Sequence, residues 1–220
     1  MVKLSKRLEA ILRMVPKGTA ADIGADHGKL IIALFERGII NHGYAVENKV
    51  GPYNRLVKAL KENSLIDDII PLLSDGIKDV PPHVGTFIIA GMGGDLIIDI
   101  LKKYPDKTKQ VQTLIVDAHT NVPKLRKEIS NLGFVIADEA IVQEDGKFYE
   151  IIIFVRADVA FYGDKDIEFG PILRNQKSAA FKQKYQNRIL EIDLLLAKSN
   201  LPESRIHALT EEKKRIEGVL

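Results

Sequence analysis

Thr19-Ala20-Ala21-Asp22-Ile23-Gly24-Ala25-Asp26-His27-Gly28, followed by Gly43-Tyr44-Ala45-Val46-Glu47, decides how this chain is read. The first stretch predicts a short buried strand that breaks into a glycine turn and then a helix starting near Lys29. The second predicts another buried strand with a carboxylate at its C-terminal end. A glycine turn lets a ligand approach the backbone closely, and an acid at the next strand end can accept both hydrogen bonds of a ribose diol. The pair therefore points to a nucleoside-containing cofactor. A dinucleotide would want G-x-G-x-x-G with a helix N-terminus aimed at its pyrophosphate. Here the glycines are spaced G-x-x-x-G, and Asp26 stands where a diphosphate would bring like charge, which is unfavourable. S-adenosylmethionine, with a cationic amine and a sulfonium, suits such a turn better.

Outward from this point, strands and helices alternate. Apolar runs at Ala20–Ile23, Gly43–Val46, Ile69–Leu72, Phe87–Ala90 and Leu114–Val116 read as strands. Helical patterns fill the intervals at Leu30–Glu36, Tyr53–Glu62, Leu96–Lys103 and Pro123–Leu132. Such alternation implies right-handed crossovers and a mostly parallel sheet covered on both faces. Phe134–Val142 and Phe148–Val155 then form two strands joined through Asp145-Gly146, a hairpin signal. The expected fold is α/β, Rossmann-like, with the terminal antiparallel hairpin of a class I methyltransferase sheet.

In sheets of this kind ligands sit beyond the carboxyl ends of the strands. The cofactor-binding expectation thus collects Asp22, Gly24, Asp26 and Gly28 from the first turn and Glu47 from the second strand. Asp75 and Gly76 follow from the third, with Asp75 placed to accept from the exocyclic amine of adenine. After the fourth strand, Gly91-Met92-Gly93-Gly94 contains three glycines in four residues. That density costs conformational entropy unless something must lie close to the backbone. Asp26 and His27 are the candidate catalytic residues, His27 either touching a target base or capping the helix that follows. Lys29, His119 and Asn121 are placed on the substrate side.

The composition changes near residue 163, which predicts a division into residues 1–163 and 164–220. Pro171–Lys198 reads as one long helix and Glu203–Leu220 as another, joined by Ser199-Asn200-Leu201-Pro202. Tyr185, Ile189, Ile192 and Leu196 form one seam; Ile206, Leu209, Ile216 and Leu220 form the other, interrupted by Lys213. This predicts an antiparallel helical coiled coil. Arg174, Lys177, Lys182, Lys184 and Arg188 are five bases with no acid among residues 171–188. Such a stripe suits phosphate contacts, or else is a solvated helix face or a dimer seam. Lys3, Lys6, Arg7 and Arg13 on an amphipathic N-terminal helix could extend it.

The remaining composition narrows the class. The chain has 220 residues, 45% of them hydrophobic, a formal net charge of +2 and no cysteine. Disulfides and cysteine zinc sites are excluded, no other metal site is expected, and a membrane span needs a longer apolar run than any present. A cytoplasmic protein, monomeric or weakly dimeric, is the expectation. With so small a net charge, a polyanion must meet a local patch.

The Asp-Ile-Gly-x-Asp-His turn, Ile89–Gly94, Gly146-Lys147-Phe148-Tyr149-Glu150 and Glu168-Phe169-Gly170-Pro171 together resemble the bacterial tRNA (adenine(22)-N(1))-methyltransferase family, over nearly the whole chain. Lys29 and Asp117-Ala118-His119 differ from the residues usual there. The resemblance implies transfer of a methyl group from S-adenosylmethionine to N1 of an adenine in the tRNA D-arm. Two other readings remain open on the residues alone: a methyltransferase of small molecules, for which the basic helices have no evident use, and a non-catalytic RNA-binding protein with the same fold. A nicotinamide dehydrogenase is the weakest, given the glycine spacing.

Overall fold

In a computed structural model of the chain, residues 2–157, 161–198 and 200–220 are described. The elements run α1 (Lys6–Met14), β1 (Gly18–Ile23), α2 (Lys29–Glu36), β2 (Ile40–Glu47), α3 (Val50–Glu62), β3 (Ile69–Leu73), β4 (Thr86–Met92) and α4 (Gly94–Lys103). They continue α5 (Pro105–Gln110), β5 (Thr113–Ala118), α6 (Val122–Asn131), β6 (Phe134–Glu144) and β7 (Lys147–Arg156). Four helices follow: α7 (Asp164–Phe169), α8 (Leu173–Gln176), α9 (Ala179–Leu196) and α10 (Glu203–Glu217).

Among the described residues, seven strands form one sheet in the order β3-β2-β1-β4-β5-β7-β6. β1 pairs in parallel with both β2 and β4, and β4 in parallel with β5. β7 enters antiparallel between β5 and β6. The hairpin turn has Asp145 at φ +50° and Gly146 at φ +74°. Two successive positive φ angles are what a two-residue turn needs to match strand twist, and Asp-Gly supplies them cheaply.

Strand alternation sorts the side chains onto two faces. Ile23, Ile89, Val116, Ile152 and Phe154 pack beneath α4 and α6. Ala20, Ala45, Ile88, Ile115 and Ile151 pack beneath α1, α2 and α3. Burying an aliphatic side chain of this size stabilises by about 1.5–3 kcal/mol, so both faces must be covered. Because the sheet is sealed on its faces, only its strand ends remain for a site.

The C-terminal region departs from the expectation of one helix over residues 171–198. Lys177 takes φ +46°, which ends α8, and the Ser178 hydroxyl then accepts from the Phe181 N–H at 3.3 Å to start α9. A Ser N-cap contributes about 1 kcal/mol, enough to favour a fresh start over an unbroken helix. The short helices α5 and α7 are too brief to show a period in sequence. Phe169, Leu173, Phe181, Tyr185, Ile192, Leu209 and Ile216 make a third hydrophobic cluster in which α9 and α10 pack together. Of the expected seam residues, Ile206 is instead exposed at 42%.

This helical region is tied to the sheet by buried charge. The Arg126 guanidinium is fully buried and donates to Glu139 at 2.8 Å and Glu150 at 2.5 Å. Lys184 of α9 donates to the other Glu150 oxygen. Glu139 also accepts from the Ile172 N–H at 2.9 Å. At Gly170 (φ +83°) a Cβ would come within 2.6 Å of both Glu139 oxygens; only glycine fits there.

Candidate active site

The parallel strands β1, β2, β3 and β4 all end on one edge, and their terminal residues enclose a cavity of about 280 Å³. Gly24, Glu47, Asp75, Gly76 and Met92 line it, so five of the residues expected to hold a cofactor meet at one place. Ser74, Leu96 and Ile100 are also part of its wall. Those three carried no motif signal, because a hydroxyl and two aliphatic side chains are ordinary wherever they stand.

Gly24 shows why the turn needs glycine. Its φ is +79°, and a Cβ there would run into the terminal methyl of Met92. The chain leaves β1 at this residue with its N–H on the Val46 carbonyl, 2.8 Å away. Glu47 is 7% exposed and accepts the Asp26 N–H through Oε1 at 2.5 Å. Its Oε2 makes no hydrogen bond among the described residues. A buried carboxylate with one oxygen spare, opening onto a cavity, is what a ribose diol could satisfy. Asp75 accepts from Lys103 at 2.5 Å and from Tyr104 at 2.7 Å. Those two donors hold its carboxyl below the usual range, so it stays a carboxylate.

Beside this cavity lies a smaller hollow of about 180 Å³ that shares Gly24. Asp22, Ala25, Asp26, His27, Lys29 and Arg7 line it. Asp22 is buried, and burial first and Glu47 second push its pKa up to about 7. Asp26 is exposed at φ +49°, 3.2 Å from Arg55 and 3.7 Å from His27. Gly28, also expected to touch the cofactor, instead packs towards Leu56 and Ile32, where a Cβ would meet Leu56 at 2.9 Å. Gly93 lies at the start of α4 near Thr120.

The residues after β5 are placed by a side chain the sequence marked only as charge. Arg7 of α1 reaches across the strand ends to Asp117 at 3.1 Å and to His119 Nε2 at 2.8 Å. Because arginine only donates, His119 accepts through Nε2, which engages that lone pair. The Arg7 guanidinium also lies 5.0 Å above the Tyr149 ring. Asp117 is fully buried, and desolvation raises its pKa against the opposing effect of Arg7. Asn121 turns away from this group, donating to Asp95 at 2.5 Å.

The basic stripe is distributed differently from its sequence. Arg174 pairs with Asp166 at 2.7 Å, and Arg188 pairs with Glu212 at 2.7 Å and Glu191 at 3.0 Å. Lys177 donates to the Leu220 carbonyl at 3.3 Å, and Lys184 is held by Glu150. Lys182 is exposed and makes no ion pair among the described residues. Distant acids on α7, β7 and α10 thus meet bases that looked unopposed along the chain. Among the described residues, no group of three or more His, Asp or Glu side chains is arranged to hold a metal ion. Among them too, no helix is long and apolar enough to cross a membrane.

Comparison with known proteins supplies the last observation. Residues 20–218 match the family described as tRNA (adenine(22)-N(1))-methyltransferase. The Bacillus subtilis tRNA (adenine(22)-N(1))-methyltransferase is 30% identical over 205 residues, covering 86% of this chain and 82% of that protein. A Streptococcus pneumoniae protein solved in complex with S-adenosyl-L-methionine is 34% identical, with a TM-score of 0.91 over 99% of this chain and 100% of the other. The crystal structure of Bacillus subtilis TrmK superposes with a TM-score of 0.86 at 25% identity, covering 100% of this chain and 99% of that one. With its sheet order, its acid-lined strand-end cavity and a match over nearly its full length, this chain belongs to the tRNA (adenine(22)-N(1))-methyltransferase family.

Proposed function

We propose that this protein transfers a methyl group from S-adenosylmethionine to N1 of the adenine at position 22 in the tRNA D-arm. The observation that carries the reading is the spare oxygen of buried Glu47 in a cavity bounded by Gly24 and Met92. The residues fit that cofactor and not a dinucleotide. Asp26 and Glu47 bring two carboxyl groups to the turn, beside an Asp22 carboxyl that burial keeps protonated up to about pH 7, a set that favours a cation and opposes a diphosphate. S-adenosylmethionine, when bound, supplies a methyl group on a good leaving group.

The chain's own residues bind and orient. Glu47 accepts from the ribose hydroxyls, and Asp75 from the adenine amine. Asp22 and Asp26 face the amine of the methionine part, while the Gly91-Met92-Gly93 backbone shapes the wall. Unprotonated adenine N1 already carries a lone pair, so the protein needs no general base. Placement of the reacting atoms in a pocket that excludes water provides most of the acceleration. Asp26 and His27 position the target base at the hollow next to Gly24. N1 lies on the Watson–Crick edge, so a paired adenine must be flipped out at a cost of a few kcal/mol, on the order given for such enzymes. Lys29 and His119 lie on that substrate side, with Asn121 beyond them.

The division into residues 1–163 and 164–220 is retained in this reading, with α9 and α10 as a short antiparallel coiled coil beside the catalytic sheet. Lys182 offers phosphate contact, with Arg174, Lys177, Lys184 and Arg188 as its paired neighbours. A cytoplasmic protein, monomeric or weakly dimeric, accords with a tRNA substrate. The experiment is incubation with labelled S-adenosylmethionine and unmodified tRNA, followed by mapping of the modified nucleotide. Label at N1 of adenine 22 is expected; no transfer to tRNA, or transfer elsewhere, overturns the reading.

A further inference from the structure

The Gly146–Glu150 segment contributes only Glu150 to the buried charge network, yet it presents two aromatic rings and a lysine at the sheet edge. Because β7 is antiparallel to its neighbours, its first residues lie beside the carboxyl ends of the parallel strands. There His119, Lys147, Phe148, Tyr149 and Lys184 surround a hollow of about 470 Å³. Phe148 is half-buried but joins none of the three hydrophobic clusters of the described residues. Lys147 is exposed and has no ion-pair partner among the described residues. Lys184 is held by Glu150, whose charge is further met by Arg126. The hollow is therefore cationic at Lys147 and aromatic at Phe148.

It also connects with the site already described. The Tyr149 ring lies 5.7 Å from His119 and beneath Arg7. A Cβ placed on Gly91 would lie 3.6 Å from Arg7 Nη1 and 4.0 Å from His119 Nε2. Arg7 in turn lines the smaller hollow with Asp26 and His27. One continuous surface thus runs from the turn after β1, past Gly91 and Arg7, to Phe148 and Lys147. A nucleic acid strand with one base in the smaller hollow would carry its next nucleotide along that surface.

We infer that this hollow is a second nucleotide subsite, which stacks a base flanking the target adenine on Phe148 and holds its phosphate with Lys147. The inference rests on the tRNA methyltransferase reading and adds to it where the substrate strand runs. Base–aromatic stacking tolerates any base and gives affinity rather than sequence choice. Lysine–phosphate contact adds a salt-dependent term. The subsite therefore acts on substrate binding and leaves the cofactor cavity untouched.

The test uses the full chain and an unmodified tRNA transcript. Binding is followed by fluorescence anisotropy with saturating S-adenosylhomocysteine over a salt series, beside steady-state methylation. Phe148→Ala and Phe148→Leu should raise Kd and KM for tRNA about five- to 150-fold, the range for loss of one stacked base, while Phe148→Tyr restores them. Lys147→Ala should reduce the slope of log K against log salt by about 0.7–0.9, the change for one phosphate. The kcat at saturating tRNA and the affinity for S-adenosylhomocysteine should stay at the parent values. Phe148→Leu keeps most of the apolar volume, so it remains folded if Phe148→Ala does not. Parent-like tRNA affinity in Phe148→Leu together with a parent-like salt slope in Lys147→Ala overturns the subsite alone. A parent protein that fails to methylate tRNA overturns the functional reading and the subsite with it.

Discussion

Asp22 offers the sharpest quantitative test of the site's electrostatics. Its carboxyl is buried at the end of β1, makes no hydrogen bond among the described residues and lies near Glu47. Burial and that neighbour raise its pKa from 3.8 to about 7. Between those values the folded protein keeps a proton that the unfolded chain has released. Stability therefore falls as pH rises through the window and levels off above about 7. Each pKa unit is about 1.4 kcal/mol, so a shift of roughly three units costs about 4 kcal/mol above neutrality. Asp22→Asn removes the titration while keeping size and polarity. Urea unfolding of both proteins between pH 4 and 8, followed by circular dichroism, isolates the effect as a difference of free energies. The variant should gain on the parent by about 4 kcal/mol from the acid to the alkaline end. In a Glu47→Gln background the upper edge of the window should move down, since the neighbouring charge is gone. A parent-minus-variant difference that stays flat to within about 0.5 kcal/mol across that range would refute the buried, charge-coupled carboxyl.

Other consequences follow from the same geometry. Glu47→Gln should weaken S-adenosylmethionine binding about 10- to 100-fold by calorimetry, the range for losing a charged acceptor; unchanged affinity would place the ribose elsewhere. Asp26→Ala should abolish methylation of tRNA while the protein stays folded, at a small stability cost from alanine at positive φ, and near-normal turnover would remove Asp26 from the site. Arg126→Met leaves Glu139 and Glu150 buried with one partner fewer each, and should cost about 3–5 kcal/mol in chemical unfolding. A loss under about 1 kcal/mol would mean that the network is solvated. Lys182→Glu should weaken tRNA binding and flatten its salt dependence without touching cofactor affinity, whereas parent-like binding would assign α9 a purely structural role.

The alternation of strands and helices was legible in the sequence, as were the strand-end residues Gly24, Glu47 and Asp75 that line one cavity. Buried strands need apolar residues on both faces, and Gly24, Glu47, Asp75 and Gly91 stand at strand ends, where the backbone places them whatever surrounds them. Asp145-Gly146 likewise specified its turn by local conformational preference alone. The tertiary structure decided what depends on partners far apart in the chain. Arg7 joins Asp117, His119 and Tyr149 across more than a hundred residues, and no spacing rule could announce it. Arg174 and Arg188 looked like a free cationic stripe because the acids that meet them lie outside residues 171–188: Asp166 on α7, Glu212 on α10, and Glu191 one turn further along α9. The break at Lys177 was set by a cap and a cluster, not by periodicity. Local conformation is written in neighbouring residues; charge pairing and access to solvent are written only in the packed fold.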